Sequence, residues 1–256
     1  MSAPVFLHPD LPAVAAGDVI VLTGPEAHHA LAVQRLRAGE AVEIVDGRGT
    51  RVSGVVADGA SPRELHVRVS ARAEEPAAAP RIIVVQAIPK GDRAERAVEL
   101  LTEVGVDAIV PWQAQNCVTR WSGERGEKAH TKWVATAREA AKQSRRSWLP
   151  VVESPCSTAQ VCDQVRAARE RGAAVWLLHE AADRDEPPAL DAPEVWLIVG
   201  PEGGVSDQEV DALSTAGAIP VRLGSTVFRT STAGAVAAAV VSTLTGRWTR
   251  VRARMT

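Results

Sequence analysis

Two rhythms of apolar and polar positions divide this chain of 256 residues. In the first, short apolar runs recur at regular spacing, at 19–22, 41–45, 52–56 and 65–69, several of them alternating with polar residues. Alternation with period two marks a half-buried strand, and Asp46-Gly47 and Asp58-Gly59 supply turn chemistry between the runs. A helix-like piece, about 26–36, interrupts them. Residues 1–72 are therefore expected to form a small β-barrel-like domain, with the Pro/Ala-rich stretch 73–80 as a linker.

From Arg81 the rhythm changes. Residues 82–87 read as a buried strand, 93–104 as a helix stopped by Gly105, and 108–110 as a strand halted by Pro111. A long helix is expected at 127–144 and another at 158–171, ended by Gly172. Apolar runs at 174–178, 195–199 and 219–223 alternate with helical patterns, the last about 231–244. Strands alternating with helices predict a parallel sheet covered by helices, here over 81–256. The stretch from Ala233 to Val241 is apolar on nearly every face and is expected to be buried all round, inside one subunit or against a second copy.

Two loops carry candidate chemistry. Gly200-Pro201-Glu202-Gly203-Gly204 follows the strand ending at Val199 and precedes Ser206-Asp207-Gln208-Glu209, a capping-box pattern that opens a helix. Leu223-Gly224-Ser225-Thr226-Val227-Phe228-Arg229-Thr230 follows the next strand. Successive strand–glycine-loop–helix units expose backbone groups at strand carboxyl ends, where open α/β sheets bind ligands. No G-x-x-x-x-G-K-[ST] and no G-x-G-x-x-G opening a βαβ unit occur, which excludes a P-loop and leaves a Rossmann site unsupported.

Composition narrows the setting. No run approaches 18 apolar residues, and the N-terminus lacks a basic region followed by an apolar one, so neither a membrane span nor a signal peptide is expected. Cys117, Cys156 and Cys162 are odd in number and form no C-x-x-C, which fits a reducing cytoplasm and no metal site. Net charge is −2, yet eight basic residues fall between Arg120 and Arg146 against three glutamates, interleaved with Trp121 and Trp133 and followed by Trp148. That stretch reads either as a phosphate-tracking surface or as a solvated amphipathic helix whose tryptophans belong to the core.

The order GPEGG-x-S-x-x-E, then LG-x-x-x-x-R-T-x-T-A, resembles the RsmE family of bacterial 16S ribosomal RNA uridine-N3 methyltransferases, members of the SPOUT superfamily. Lys90-Gly91-Asp92, Thr102-Glu103-Val104-Gly105-Val106, Gln143-Ser144-Arg145-Arg146 and Leu178-His179-Glu180 are similar to further motifs of that family. The resemblance implies a C-terminal trefoil knot, a PUA-like RNA-binding N-terminal domain and a homodimer. It also implies S-adenosylmethionine as cofactor and 16S rRNA or the small ribosomal subunit as partner. The cofactor pocket would be lined by Leu178, His179, Glu180, Val199, Gly200, Pro201, Glu202, Gly203, Gly204, Leu223, Gly224, Val227, Phe228, Arg229 and Thr230. Arg35, Arg37, Lys90, Gln143, Arg145 and Arg146 would face RNA.

Methylation at N3 removes a weakly acidic imino proton, so a base or an anion-stabilising cation is needed. Arg229 and Glu202 are the catalytic candidates: the first stays charged at any working pH, the second accepts a proton only if burial raises its pKa. His179 is expected to be pocket wall. The chain departs from the family pattern at Val5, at Ala114-Gln115-Asn116 and at Leu100, each departure removing a charge. Two other readings stay open: a methyltransferase acting on another ribosomal or transfer RNA nucleotide, and a non-catalytic RNA-binding assembly factor.

Overall fold

A computed structural model describes residues 3–58, 63–182 and 190–249. It forms two compact units. The first takes residues 3–77 together with Ala141–Leu149, and the second takes Ala78–Ala140 and the described residues from Pro150 to Thr249.

The first unit holds β1 (Val5–Leu7), β2 (Val19–Leu22), α1 (Gly24–His28) continued by a π-helical turn (His29–Val33), β3 (Ala41–Val45), β4 (Thr50–Val56) and β5 (Leu65–Glu74). Their order is β1-β3-β4-β5-β2, with β1 and β3 parallel and the other pairs antiparallel. This sheet curls into a half-barrel around Phe6, Ile20, Ile44, Val52, Leu65 and Val67. The alternation read from the sequence is the physical cause: in β4 and in the first half of β5 every second side chain is buried. β5 runs to Glu74, past the expected run at 65–69, and Glu74 pairs with Thr50 at the start of β4. Gly54 sits at a register shift in β4, where a Cβ would stand 2.5 Å from the carbonyl oxygen of Arg68. The expected helix at 26–36 is shorter, ending at Val33, with Arg35 beyond it in the left-handed region at φ 56°.

Residues 147–149 lie along the turn between β3 and β4. Gly49 donates to the Ser147 carbonyl (3.1 Å), Leu149 donates to the Gly47 carbonyl (3.0 Å), and the Trp148 indole donates to the Glu75 carbonyl (2.8 Å). Gly49, at φ 105°, has no room for a side chain: a Cβ would meet the Glu75 carbonyl at 2.6 Å and the Trp148 ring at 2.7 Å.

The second unit is built from β6 (Arg81–Ala87), α2 (Arg93–Glu103), β7 (Ala108–Gln113), α3 (Gly123–Gln143), β8 (Val151–Val152), β9 (Cys156–Ser157), α4 (Thr158–Glu170), β10 (Ala174–Leu178), β11 (Glu194–Val199), α5 (Asp207–Thr215), β12 (Ile219–Val221) and α6 (Thr230–Leu244). The last turn of α3 belongs to the first unit. All pairings are parallel, in the order β12-β10-β11-β6-β7-β8, with β9 also on β7. β6 and β11 are central and covered by helices, which is why they read as unbroken apolar runs.

One expectation is corrected here and two are narrowed. Pro111 does not halt β7, which continues to Gln113. The carbonyls of Asp107 and Ile109 face β8, so by alternation Pro111 lacks its N–H on that same side, in the gap between Val152 and Cys156 where β7 has no partner. Within one subunit helix α6 is not buried all round: Gly234, Ala237, Ala238 and Val241 are buried, whereas Val236 and Val240 are partly exposed and Leu244 is 60% exposed, which leaves burial against a second copy as the alternative. A Cβ on Gly234 would stand 2.9 Å from Leu101, so α2 and α6 approach closely there.

The basic stretch is not a face with interleaved aromatics. Trp121 and Trp133 are buried, their rings meeting edge-on at 4.9 Å. Lys142 is buried as well, its Nζ 3.1 Å from Glu26 Oε1 inside the first unit.

Candidate active site

β12, β10 and β11 are neighbours, so their carboxyl ends at Val221, Leu178 and Val199 stand side by side. The loops that leave them enclose a cavity of about 330 Å³. It is lined by Leu178, His179, Glu180, Val199, Gly200, Pro201, Glu202 and Gly204, and across from these by Leu223, Val227, Phe228, Arg229 and Thr230. Its size suits a small ligand. Two of the expected wall residues lie elsewhere. Gly203 turns toward Asn116, whose Cβ would sit 3.1 Å from a Cβ placed on the glycine, and Gly224 occupies the turn itself at φ 77°.

Each loop is held by contacts that periodicity does not reveal. Ser206 caps α5 and Glu209 reciprocates, as the capping box predicts. Glu209 is buried and does more: its Oε1 accepts from the Gln115 N–H (2.8 Å) and from the Thr158 hydroxyl (2.7 Å). Asn116 Nδ2 donates to the carbonyls of Gly203 (3.3 Å) and Gly204 (3.1 Å). A segment expected only to have lost charge thus pins the glycine loop. A Cβ on Gly200 would come within 2.5 Å of Val205 Cγ2, so the bare backbone is a steric requirement there. Gln86, buried in β6, donates to the Thr230 carbonyl (3.2 Å) and ties the start of α6 to the sheet.

Charge at the cavity comes from Glu180 and Glu202, and from Arg93, Arg222 and Arg229. Arg93 and Arg222 were not anticipated, because nothing in one sequence shows that β6 and β12 deliver their following residues to the same rim. Arg229 is exposed, and its guanidinium makes no hydrogen bond or ion pair among the described residues. Its carbonyl accepts from the Thr232 and Ala233 N–H groups (2.9 Å each), which fixes the backbone and leaves the side chain free to meet a substrate.

Glu202 is exposed, and its Oε1 accepts from the Lys90 N–H (3.2 Å). The burial that a proton-accepting role requires is absent. His179 Nδ1 accepts from the Ala181 N–H (3.3 Å), a structural use of the ring. Burial pushes the thiols of Cys117, Cys156 and Cys162 up, which removes them as nucleophiles. Of the residues expected to face RNA, Arg35, Arg37, Gln143 and Arg145 are exposed and Arg146 is half-buried in the first unit, and Lys90 is exposed in the second.

Comparison with known proteins agrees with this architecture. A family model described as an RNA methyltransferase domain matches residues 76–242, and one described as an RNA methyltransferase PUA domain matches residues 22–70. The chain is 45% identical over 234 residues to ribosomal RNA small subunit methyltransferase E of Mycobacterium tuberculosis, covering 91% of this chain and 89% of the relative. The chain belongs to that methyltransferase family. A Legionella pneumophila protein assigned as a methyltransferase, solved with SAM bound, superposes with a TM-score of 0.79 at 26% identity, covering 95% of this chain and 98% of that one. The corresponding enzyme of Neisseria gonorrhoeae, solved with S-adenosyl methionine, shares the fold with a TM-score of 0.82 at 24% identity, covering 95% and 98%. Family membership accounts for the pairing of a curled N-terminal sheet with a parallel C-terminal one.

Proposed function

We propose that this chain methylates N3 of a specific uridine in 16S ribosomal RNA, with S-adenosylmethionine as methyl donor. The observation that carries the reading is the cavity at three adjacent strand ends, with Arg229 unpaired at its rim, in a chain of this family. The residues present fit the cofactor. Gly200 and Gly204 allow close backbone approach, Val227 and Phe228 offer apolar cover, and the Glu180 and Glu202 carboxylates suit a cationic ligand. When bound, the cofactor supplies a methyl group on a sulfonium.

The work of the chain is to align and to balance charge. Arg229 cannot take the imino proton, and in this reading it stabilises the N3 anion as the proton leaves to water at the exposed rim. Glu202 holds the Lys90 loop against the cavity. The trefoil knot implied by the family would keep both loops from separating. The exposed RNA-facing residues of the first unit would carry the substrate. The setting is the cytoplasm, and among the described residues no helix is long and apolar enough to cross a membrane.

The half-exposed face of α6, continued by Trp248 at 56% exposure, fits a second copy of this chain. Equilibrium sedimentation is expected to give twice the 27.1 kDa chain mass, and a monomer at micromolar concentration would remove the dimer from the reading. The function itself is tested by nucleoside mass spectrometry of ribosomal RNA from cells lacking the protein. Loss of 3-methyluridine is expected, restored by the intact chain, and an unchanged profile rejects the assignment.

A further inference from the structure

β6 is an apolar, buried run from Ile82 to Ala87 with one polar residue in it, Gln86, which is 1% exposed. Its amide faces two carbonyl oxygens: Nε2 donates to that of Ala87 (3.0 Å) and to that of Thr230 (3.2 Å). Two acceptors on one side fix which end of the amide carries the nitrogen. Oε1 is thereby turned from both, and it accepts no hydrogen bond among the described residues. A buried acceptor without a donor costs stability, and an apolar side chain of similar shape avoids that cost. Every other buried position of β6 is apolar, so core packing gives no reason for an amide here.

What the amide does secure is Thr230. Gln86 stands opposite Val199 of β11, the residue before the glycine loop and part of the cavity wall. Thr230 opens α6 directly after Arg229 and lines the same cavity. That helix start has no side-chain cap. The bonds from Thr232 and Ala233 to the Arg229 carbonyl lie within the same turn and anchor it to nothing else. Among the described residues, the Gln86 amide makes the one hydrogen bond that joins residues 224–230 to a different element.

We infer that Gln86 is a positioning residue for methyl transfer: it stays in the core at the expense of stability, locks Thr230 to β6, and so holds Arg229 at the cavity rim. The inference rests on the methyl-transfer reading and on the part given there to Arg229. A group that must meet a developing anion loses much of its effect when displaced by about 1 Å.

Gln86→Met keeps the length of the side chain without either polar atom, and so separates stability from positioning. The thermal midpoint is expected to hold or rise. In the cofactor-free protein, hydrogen exchange over 224–233 should quicken about tenfold while the rest of α6 is unchanged. Single-turnover methylation of small ribosomal subunits from cells lacking the protein should slow about ten- to thirtyfold at saturating S-adenosylmethionine, with calorimetric affinity for it within about twofold. With Arg229→Ala already in place, Gln86→Met should slow transfer no further, because the amide acts through that arginine. Gln86→Leu, a second apolar variant, is expected to behave alike. A lowered midpoint with exchange raised across the whole second unit assigns Gln86 to stability alone and overturns the inference. Unchanged exchange over 224–233 in either folded variant, or full additivity with Arg229→Ala, overturns it as well. The exchange measurement needs neither cofactor nor RNA. A parent that transfers no methyl group therefore sinks the methyl-transfer reading, whereas unchanged exchange beside an active parent sinks only the role of Gln86.

Discussion

Arg229→Ala is expected to slow single-turnover methyl transfer by about 10²- to 10³-fold, roughly 3–4 kcal/mol of transition-state stabilisation, the scale on which one positioned donor to a developing anion acts. Calorimetric affinity for S-adenosylmethionine should change little, because the glycine loop and the walls at Leu178 and Val199 remain. Arg229 is the N-cap residue of α6, yet its side chain makes no cap bond, so truncation leaves the helix start intact. The backbone bonds from Thr232 and Ala233 run to its carbonyl and survive the change. Wild-type transfer by a variant that still binds cofactor would remove Arg229 from the chemistry.

Lys142→Ala is the largest expected loss of stability, about 3–5 kcal/mol, since it removes the ammonium that stands 3.1 Å from the buried Glu26 carboxylate. Both side chains are under a tenth exposed, and Glu26 Oε2 also accepts from the Leu7 N–H at 3.2 Å, so the acid cannot turn to water without breaking a contact to β1. Combining Lys142→Met with Glu26→Gln should recover most of the loss, because glutamine keeps an acceptor for Leu7 and methionine fills the volume of the lysine stem. Urea denaturation of the single and double variants measures both. A single variant within about 1 kcal/mol of the parent would mean the pair is screened as if it lay on the surface.

Much of the second unit was legible because its elements report on themselves. β6, β10 and β11 are continuous apolar runs, since a central parallel strand is covered on both faces, and Ser206 with Glu209 announced the start of α5. Thirteen of the fifteen expected wall residues line the first cavity, because glycine loops after strands mark where backbone comes bare to a ligand. What was not legible shares one cause. Pro111 was read from its own geometry, and only its neighbours β8 and β9 decide that its missing N–H faces a gap. Of the two readings open for the stretch with Trp121, Trp133 and Lys142, the structure takes the one that puts the tryptophans in the core, because burial is set by what packs against that segment.

Local pattern, then, determined the elements, the change from a curled antiparallel sheet to a parallel one, and the two glycine loops, because period, turn chemistry and capping are properties of neighbouring residues. Tertiary structure alone decided that β10 lies between β12 and β11, so that the three loops share one cavity. It also brought Asn116 to Gly203 and Gly204, Lys142 to Glu26, and Gln86 to Thr230. Those partners are separated by 87 or more residues, and no periodicity spans such distances. The pairing follows from which strands and helices bury each other's apolar faces, a choice made by the whole chain at once.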